Sequence, residues 1–246
     1  MHIPDAIGDV PYLTTEQMIE VDRSMREDYK IDLLQMMENA GRSLAHLARA
    51  RFLDGSASGK RVTVLAGTGG NGGGTMVCAR HLFTYGATVT VCLSRAKDSF
   101  AVVPAQQLDT LHRMSVDVTT FDEIADLPGS DLIVDGIIGY NLRGAPRGIA
   151  GALIRWANRQ DAPVLALDIP SGVDATSGVV YDPAIKANAT MTLALPKVGL
   201  RSEGAADNVG ELYLADLSVP SALYAGPRLG LNVGNIFAES DIVRLK

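Results

Sequence analysis

Six of the eight residues from Gly67 to Gly74 are glycine, in the run Gly67-Thr68-Gly69-Gly70-Asn71-Gly72-Gly73-Gly74-Thr75. Such a turn lets the backbone approach a ligand closely, and a helix opening beyond it offers unpaired amides to a phosphate. A Walker A loop would close on Gly-Lys-Ser/Thr, and no lysine follows Gly74. The spacing fits GxGxxG, yet the next apolar run ends Leu93-Ser94-Arg95 rather than at an acid, which argues against ordinary hydride transfer. Two further motifs carry chemistry. One is Asp135-Gly136-Ile137-Ile138-Gly139-Tyr140, continued by Asn141-Leu142-Arg143-Gly144-Ala145; the other is Asp168-Ile169-Pro170-Ser171-Gly172-Val173-Asp174. Asp135 and Asp168 each close an apolar run. A carboxylate so placed can hold a cation, bind a hydroxyl or move a proton. Asn71, Asp135 and Ser171, with backbone carbonyls, make an oxygen-rich set without thiolates, which suits an alkali or alkaline-earth cation better than zinc.

Other chemistries find little support. The histidines are His2, His46, His81 and His112, and no Ser-His-Asp arrangement can be assembled from them. Ser171 does not stand in GxSxG, so the strained elbow of an α/β-hydrolase is not expected. Cys78 and Cys92 lie among apolar residues with neither CxxC spacing nor a Cys/His cluster, and read as buried free thiols.

The elements that must position these residues follow from periodicity. Residues 1–13 read as a loose arm. Thr14 with Gln17 makes a capping box, and Met18, Val21 and Met25 recur at helical spacing behind it. Leu33, Met37, Ala40, Leu44, Leu47 and Arg51 line a second helix. An alternation follows: a strand at Val62–Leu65, the glycine turn, a helix from Met76 to Phe83, then strands at Thr88–Leu93, Leu132–Val134, Val164–Leu167, Thr190–Leu195 and Leu212–Leu214. Helices at Ala105–Met114 and Ile149–Asn158 intervene. Short apolar strands alternating with helices predict a mainly parallel sheet covered on both faces. Ligands of such sheets lie beyond the carboxyl ends of the strands, where the glycine turn, Asp135 and Asp168 all fall. Residues 218–246 read as an irregular C-terminal wrap followed by a short terminal element, on the same single domain, 1–246.

Composition narrows the partners. The 246 residues carry 22 Lys and Arg against 28 Asp and Glu, a net charge of -6. That balance lacks the basic field of a nucleic-acid binder. No apolar run approaches the ~20 residues of a membrane span. The first residues carry Asp5 and Asp9 and no basic n-region, so a cytoplasmic protein is expected.

The ordered set of motifs resembles the YjeF N-terminal domain family. The resemblance runs from Leu13 to Leu217. It rests on Leu34-Gln35-Met36-Met37-Glu38-Asn39-Ala40-Gly41, the glycine turn with Val77-Cys78-Ala79-Arg80-His81-Leu82, Val134-Asp135-Gly136, Ala166-Leu167-Asp168-Ile169-Pro170-Ser171-Gly172-Val173-Asp174 and Leu195-Pro196-Lys197-Val198-Gly199-Leu200. The family's known enzymes are NAD(P)H-hydrate epimerases. The resemblance implies a doubly wound, three-layer Rossmann-like α/β sandwich with N-terminal helices. It also implies inversion at C6 of the hydrated nicotinamide ring. Gly70, Asn71, Gly72, Gly73 and Gly74, with the stretch Gly139 to Ala145, would surround the nucleotide hydrate. Asn71, Asp135 and Ser171 would hold a potassium ion. Asp168 would contact the hydrate and transfer protons, and Lys197 would steady an anionic substrate or the site loop. A homodimer and a functional link to a separate dehydratase are implied as well.

One block departs from the family. Its usual loop reads about Gly-Asn-Asn-Gly-Gly-Asp-Gly, whereas Gly70 replaces the first asparagine, Gly74 the aspartate and Thr75 the last glycine. A side-chain carboxylate contact is therefore missing at position 74. That leaves a second reading, a nucleotide-binding or interaction protein without turnover, and a third, an altered substrate.

Overall fold

The apolar runs assemble into one eight-stranded sheet, ordered β3-β2-β1-β4-β5-β6-β7-β8. The strands are β1 (Arg61–Ala66), β2 (Thr88–Leu93), β3 (Asp117–Thr119), β4 (Leu132–Gly136), β5 (Val164–Leu167), β6 (Ala189–Leu193), β7 (Glu211–Ala215) and β8 (Ile242–Arg244). All neighbours are parallel except the last pair, β7 and β8. This computed structural model describes residues 2–124 and 129–245. Met1 and Lys246, the outermost residues of the expected arm and wrap, lie outside them.

Every residue of β4 and β5 is buried, as parallel strands covered on both faces require. One face packs against α2 (Leu33–Arg51), α3 (Gly70–Thr84) and α4 (Val102–Arg113) through Leu44, Leu47, Val64, Met76 and Leu82. The other packs against α5 (Phe121–Ile124) and α6 (Gly148–Ala157) through Leu65, Ile133, Leu153 and Ile154. A third cluster joins α1 (Thr15–Glu27) to the C-terminal segment through Met18, Val21, Met25, Leu217 and Tyr224. The Thr14 capping box forms: Thr14 Oγ1 accepts from the Gln17 amide at 3.3 Å, and Gln17 Oε1 accepts from the Thr14 amide at 2.9 Å.

Three elements differ from expectation. The N-terminal residues are not loose. The Ala6 amide donates to Arg244 O, the Arg244 amide to Pro4 O and the Leu13 amide to Pro196 O, each at 2.8 Å. Val10 and Leu13 are buried. An open strand edge leaves backbone groups unpaired, and the arm satisfies those of β8. The C-terminal segment ends on the short terminal element expected of it, β8, and holds the short helix α8 (Ser221–Ala225) within the wrap.

The helix after the glycine turn starts at Gly70, well before Met76. Several of its glycines serve helix packing rather than the turn. A Cβ on Gly73 would meet Met37 Sδ at 2.5 Å, and one on Gly41 would meet the Gly74 carbonyl at 2.5 Å. Poor helix formers are tolerated there because only hydrogen fits between α2 and α3. The sixth strand stops at Leu193 instead of Leu195, because Ala194 takes a positive φ of 62° and turns the chain.

Candidate active site

The strand order reverses beside β1, whose neighbours β2 and β4 come from opposite halves of the sheet. A crevice opens above such a reversal, at the carboxyl ends of the strands. Ala66 and Gly136 are level in the register, so Gly67 and the loop after β4 leave the sheet side by side. The Gly67 amide donates to the Gly136 carbonyl at 3.0 Å. The turn then doubles back so tightly that a Cβ on Gly72 would lie 1.8 Å from Gly67 O. With Gly69 as N-cap, the amides of Gly70, Asn71 and Gly72 open α3 toward the crevice.

Asp135 and Ser171 come together beneath it. Asp135 is wholly buried. Its Oδ1 accepts from Ser171 Oγ at 2.7 Å and from the Ile137 amide at 3.1 Å, and its Oδ2 accepts from the Ser171 amide at 2.8 Å. Burial pushes its carboxyl up to about 6, against the pull of these hydrogen bonds. Ser171 Oγ accepts in turn from the Ile138 amide at 2.8 Å. Asn71 reaches across, its Nδ2 donating to Leu167 O at 2.8 Å. Its amide rests on Gly139, where a Cβ would meet Asn71 Oδ1 at 2.6 Å.

Asp168, at the end of β5, adopts a left-handed φ of 66°. That conformation is uncommon for a residue with a side chain, although aspartate tolerates it better than most. It turns the carboxylate onto Lys197, whose side chain is fully buried and whose ammonium donates to Asp168 Oδ1. Leu193 N and Thr192 Oγ1 also donate to Oδ1, at 3.2 Å and 3.3 Å. Lys197 Nζ closes the cluster by donating to Leu193 O at 2.8 Å. The early end of β6 thus serves the pair, since the reversed chain brings Lys197 back over the strand.

Two connected chambers occupy the crevice. The outer, about 250 Å³, is bordered by Gly69, Gly70, Gly72, Arg26, Gly139 and Asn141. The inner, about 70 Å³, ends on Asp168 and Lys197 among Met18, Met37, Leu167 and Leu217. Asp22, Leu33, Met36, Gly70, Asn71 and Tyr140 border both. Larger clefts of about 440, 430 and 510 Å³ lie elsewhere and touch none of the strand-end aspartates.

Gly70, Asn71, Gly72, Gly139, Tyr140, Asn141, Asp168 and Lys197 therefore meet around one crevice. Gly73 and Gly74 do not line it. Gly74 is buried, and a Cβ there would meet Leu167 Cδ2 at 2.8 Å and Ala40 at 3.8 Å. Leu142, Arg143, Gly144 and Ala145 also lie outside the lining of both chambers. Asp22 was not anticipated. It stands four residues after Met18, on the helical stripe that enters the core, and an acid in that stripe was the available signal. The Tyr140 hydroxyl donates to Asp22 Oδ2. Burial raises the Asp22 carboxyl above its usual range, while the Tyr140 bond and Lys197 oppose the shift.

Comparison with known proteins gives the family. Residues 33–199 match the model of the YjeF-related protein N-terminus. The chain belongs to this family. It is 41% identical over 235 residues to the NAD(P)H-hydrate epimerase of Dehalogenimonas lykanthroporepellens, covering 95% of this chain and 92% of that one. It is 33% identical over 220 residues to the bifunctional NAD(P)H-hydrate repair enzyme Nnr of Moorella thermoacetica, covering 87% of this chain but only 41% of that enzyme. The crystal structure of the yeast protein ynu0 (YNL200c) superposes with a TM-score of 0.81 at 25% identity, covering 96% of this chain and all of that one. The family match spans the glycine turn, both strand-end aspartates, Ser171 and Lys197, and leaves α1, with Asp22, outside it.

Proposed function

We propose that the protein is an isomerase of nicotinamide nucleotide repair that interconverts the R and S forms of NAD(P)H hydrate at C6. The observation that carries this reading is the 41% identity to an epimerase over 95% of the chain, joined to a crevice that ends on the Asp168–Lys197 pair. The amides opening α3, with Arg26 beside them, suit the nucleotide phosphates. The inner chamber suits the reduced ring. Met18, Met36 and Met37 border it, and their flexible thioethers let it widen around a flat group.

Loss of the C6 hydroxyl leaves an iminium-like centre that the ring nitrogen stabilises, and water returns to the other face. No net oxidation occurs. Asp168 exchanges a proton with the oxygen on its own face of the ring, and Lys197 keeps its carboxylate oriented.

Among the described residues no group of three or more His, Cys, Asp or Glu could hold a metal ion. Asn71, Asp135 and Ser171 offer amide, carboxylate and hydroxyl oxygens, a hard donor set that fits a monovalent potassium ion. Bound there, the ion would supply positive charge beside the loops after β4 and β5. The homodimer, the separate dehydratase and a cytoplasmic location belong to the same reading. The last is supported by two buried free thiols, and among the described residues no helix is long and apolar enough to cross a membrane.

Separate R and S hydrates of NADH and NADPH, incubated with the protein in potassium chloride and followed by chromatography, test the assignment. Each should convert to the same R/S mixture faster than without protein, and Asp168→Asn should abolish the acceleration. A folded protein that leaves both epimers unchanged overturns it.

A further inference from the structure

Inversion through a flat iminium asks for proton transfer on both faces of C6, and one carboxylate reaches only one face. Asp168 Oδ1 is already engaged by three donors, from Lys197, Thr192 and Leu193. A group that gives up a proton at the start of the reaction must be sought elsewhere in the crevice.

Asp22 reaches the same chamber from a different element. It belongs to α1, while Asp168 belongs to the end of β5, and both border the inner chamber. The groups facing Asp22 are Tyr140 from the loop after β4, Asp168, Lys197, Arg26 on its own helix and Tyr224 on α8. Tyr140 donates to the Asp22 carboxyl group, whereas Arg26 Nε reaches the Asp22 backbone carbonyl, at 3.1 Å. The Tyr140 phenol is itself held above its usual range, first by burial and then by the Asp22 charge, so it keeps its proton and acts as a fixed donor.

We infer that Asp22 is the second proton-transfer group of the site, working opposite Asp168 and positioned by Tyr140. This rests on the epimerase reading and deepens it. With Oδ2 engaged as an acceptor, the acidic proton of Asp22 resides on Oδ1. As the C6–O bond breaks, that proton passes to the leaving hydroxyl, which departs as water. The ring-nitrogen lone pair forms the C=N bond. Water then adds to the opposite face of C6 and gives its proton to Asp168. The enzyme is left with Asp22 ionised and Asp168 protonated. Passage in the reverse sense restores the first state, so each epimer is served by one of two proton arrangements.

The experiment is the pH dependence of R/S interconversion in wild type, Asp22→Asn and Tyr140→Phe, with folding checked by circular dichroism. Asp22→Asn should lower kcat about a hundredfold, the usual contribution of one acid–base group. KM should hold within about threefold, since binding is left in place. The alkaline limb, which reports loss of the Asp22 proton, should disappear. Tyr140→Phe removes a bond that favours the ionised carboxylate, so the alkaline limb should move to higher pH. Wild-type kcat and pH profile in Asp22→Asn, with Asp168→Asn inactive, overturn the inference and leave the epimerase reading standing. A limb that stays fixed in Tyr140→Phe also overturns it, and serves if Asp22→Asn fails to fold. A wild-type protein inert toward both hydrates brings down the epimerase reading itself.

Discussion

Lys197 lies wholly inside the protein with its ammonium against Oδ1 of Asp168, a carboxylate that is only 2% exposed. Two charges so deeply buried are tolerable only as a pair. Removing one partner leaves the other uncompensated, at a cost of about 3–5 kcal/mol, whereas replacing both with apolar groups can be neutral. Lys197→Met should therefore lower Tm by about 10 °C, given about 2–4 °C per kcal/mol for a chain of this size. Lys197→Met with Asp168→Asn, which removes both charges and keeps a residue that tolerates the left-handed φ, should recover most of that loss and still show no turnover. Thermal melts and the hydrate assay read both effects. A double variant no more stable than the single one would mean that the pair is not held by mutual charge.

The strand-end aspartates were legible because each closes an apolar run, and a parallel sheet puts such ends at the ligand crevice. The glycine turn was legible for the same reason, but its length was not. Gly73 and Gly74 look like turn residues in sequence, and only the approach of Met37, Ala40 and Leu167 shows that they are packing residues. Asp22 carries one local mark, an acid on the core-facing stripe of α1, but its partner Tyr140 is 118 residues away, so the sequence gives that mark no role. The N-terminal arm failed for a similar reason. Its hydrogen bonds go to Arg244 and Pro196, and no local pattern in residues 1–13 signals a remote edge. The three-residue β3, mixed in polarity, has too few residues for a period to show.

Gly74 stands where related loops carry an acid, and its surroundings decide what that change does. The position is absent from the lining of both chambers and sits behind Leu167 and Ala40, which border the inner one. The departure therefore does not strip a ligand contact from the crevice, and the reading of a protein without turnover loses its main motive. Gly74→Asp should place an unpaired carboxylate in an apolar contact, destabilising the fold by about 3 kcal/mol. It should not raise kcat/KM for hydrate epimerisation. Denaturant melts and the hydrate assay check the two halves. A variant of unchanged stability and higher activity would restore the position to the site.

Asp135 links the proposed potassium site to pH. Its carboxyl is raised to about 6 by burial, above the ordinary value of about 4 that it regains on unfolding. A group raised in this way contributes stability that is fully present below pH 4 and is lost as pH climbs through 6. The loss amounts to about 3 kcal/mol. A cation held by the ionised carboxylate offsets it, because binding to the folded state alone stabilises that state. Potassium chloride should therefore raise Tm at pH 8 relative to an equal concentration of choline chloride, with little difference at pH 5. In Asp135→Asn, which cannot ionise, the potassium effect should vanish at both pH values. Equal melts in the two salts at pH 8, or a potassium effect that survives Asp135→Asn, would place the ion elsewhere or remove it from the reading.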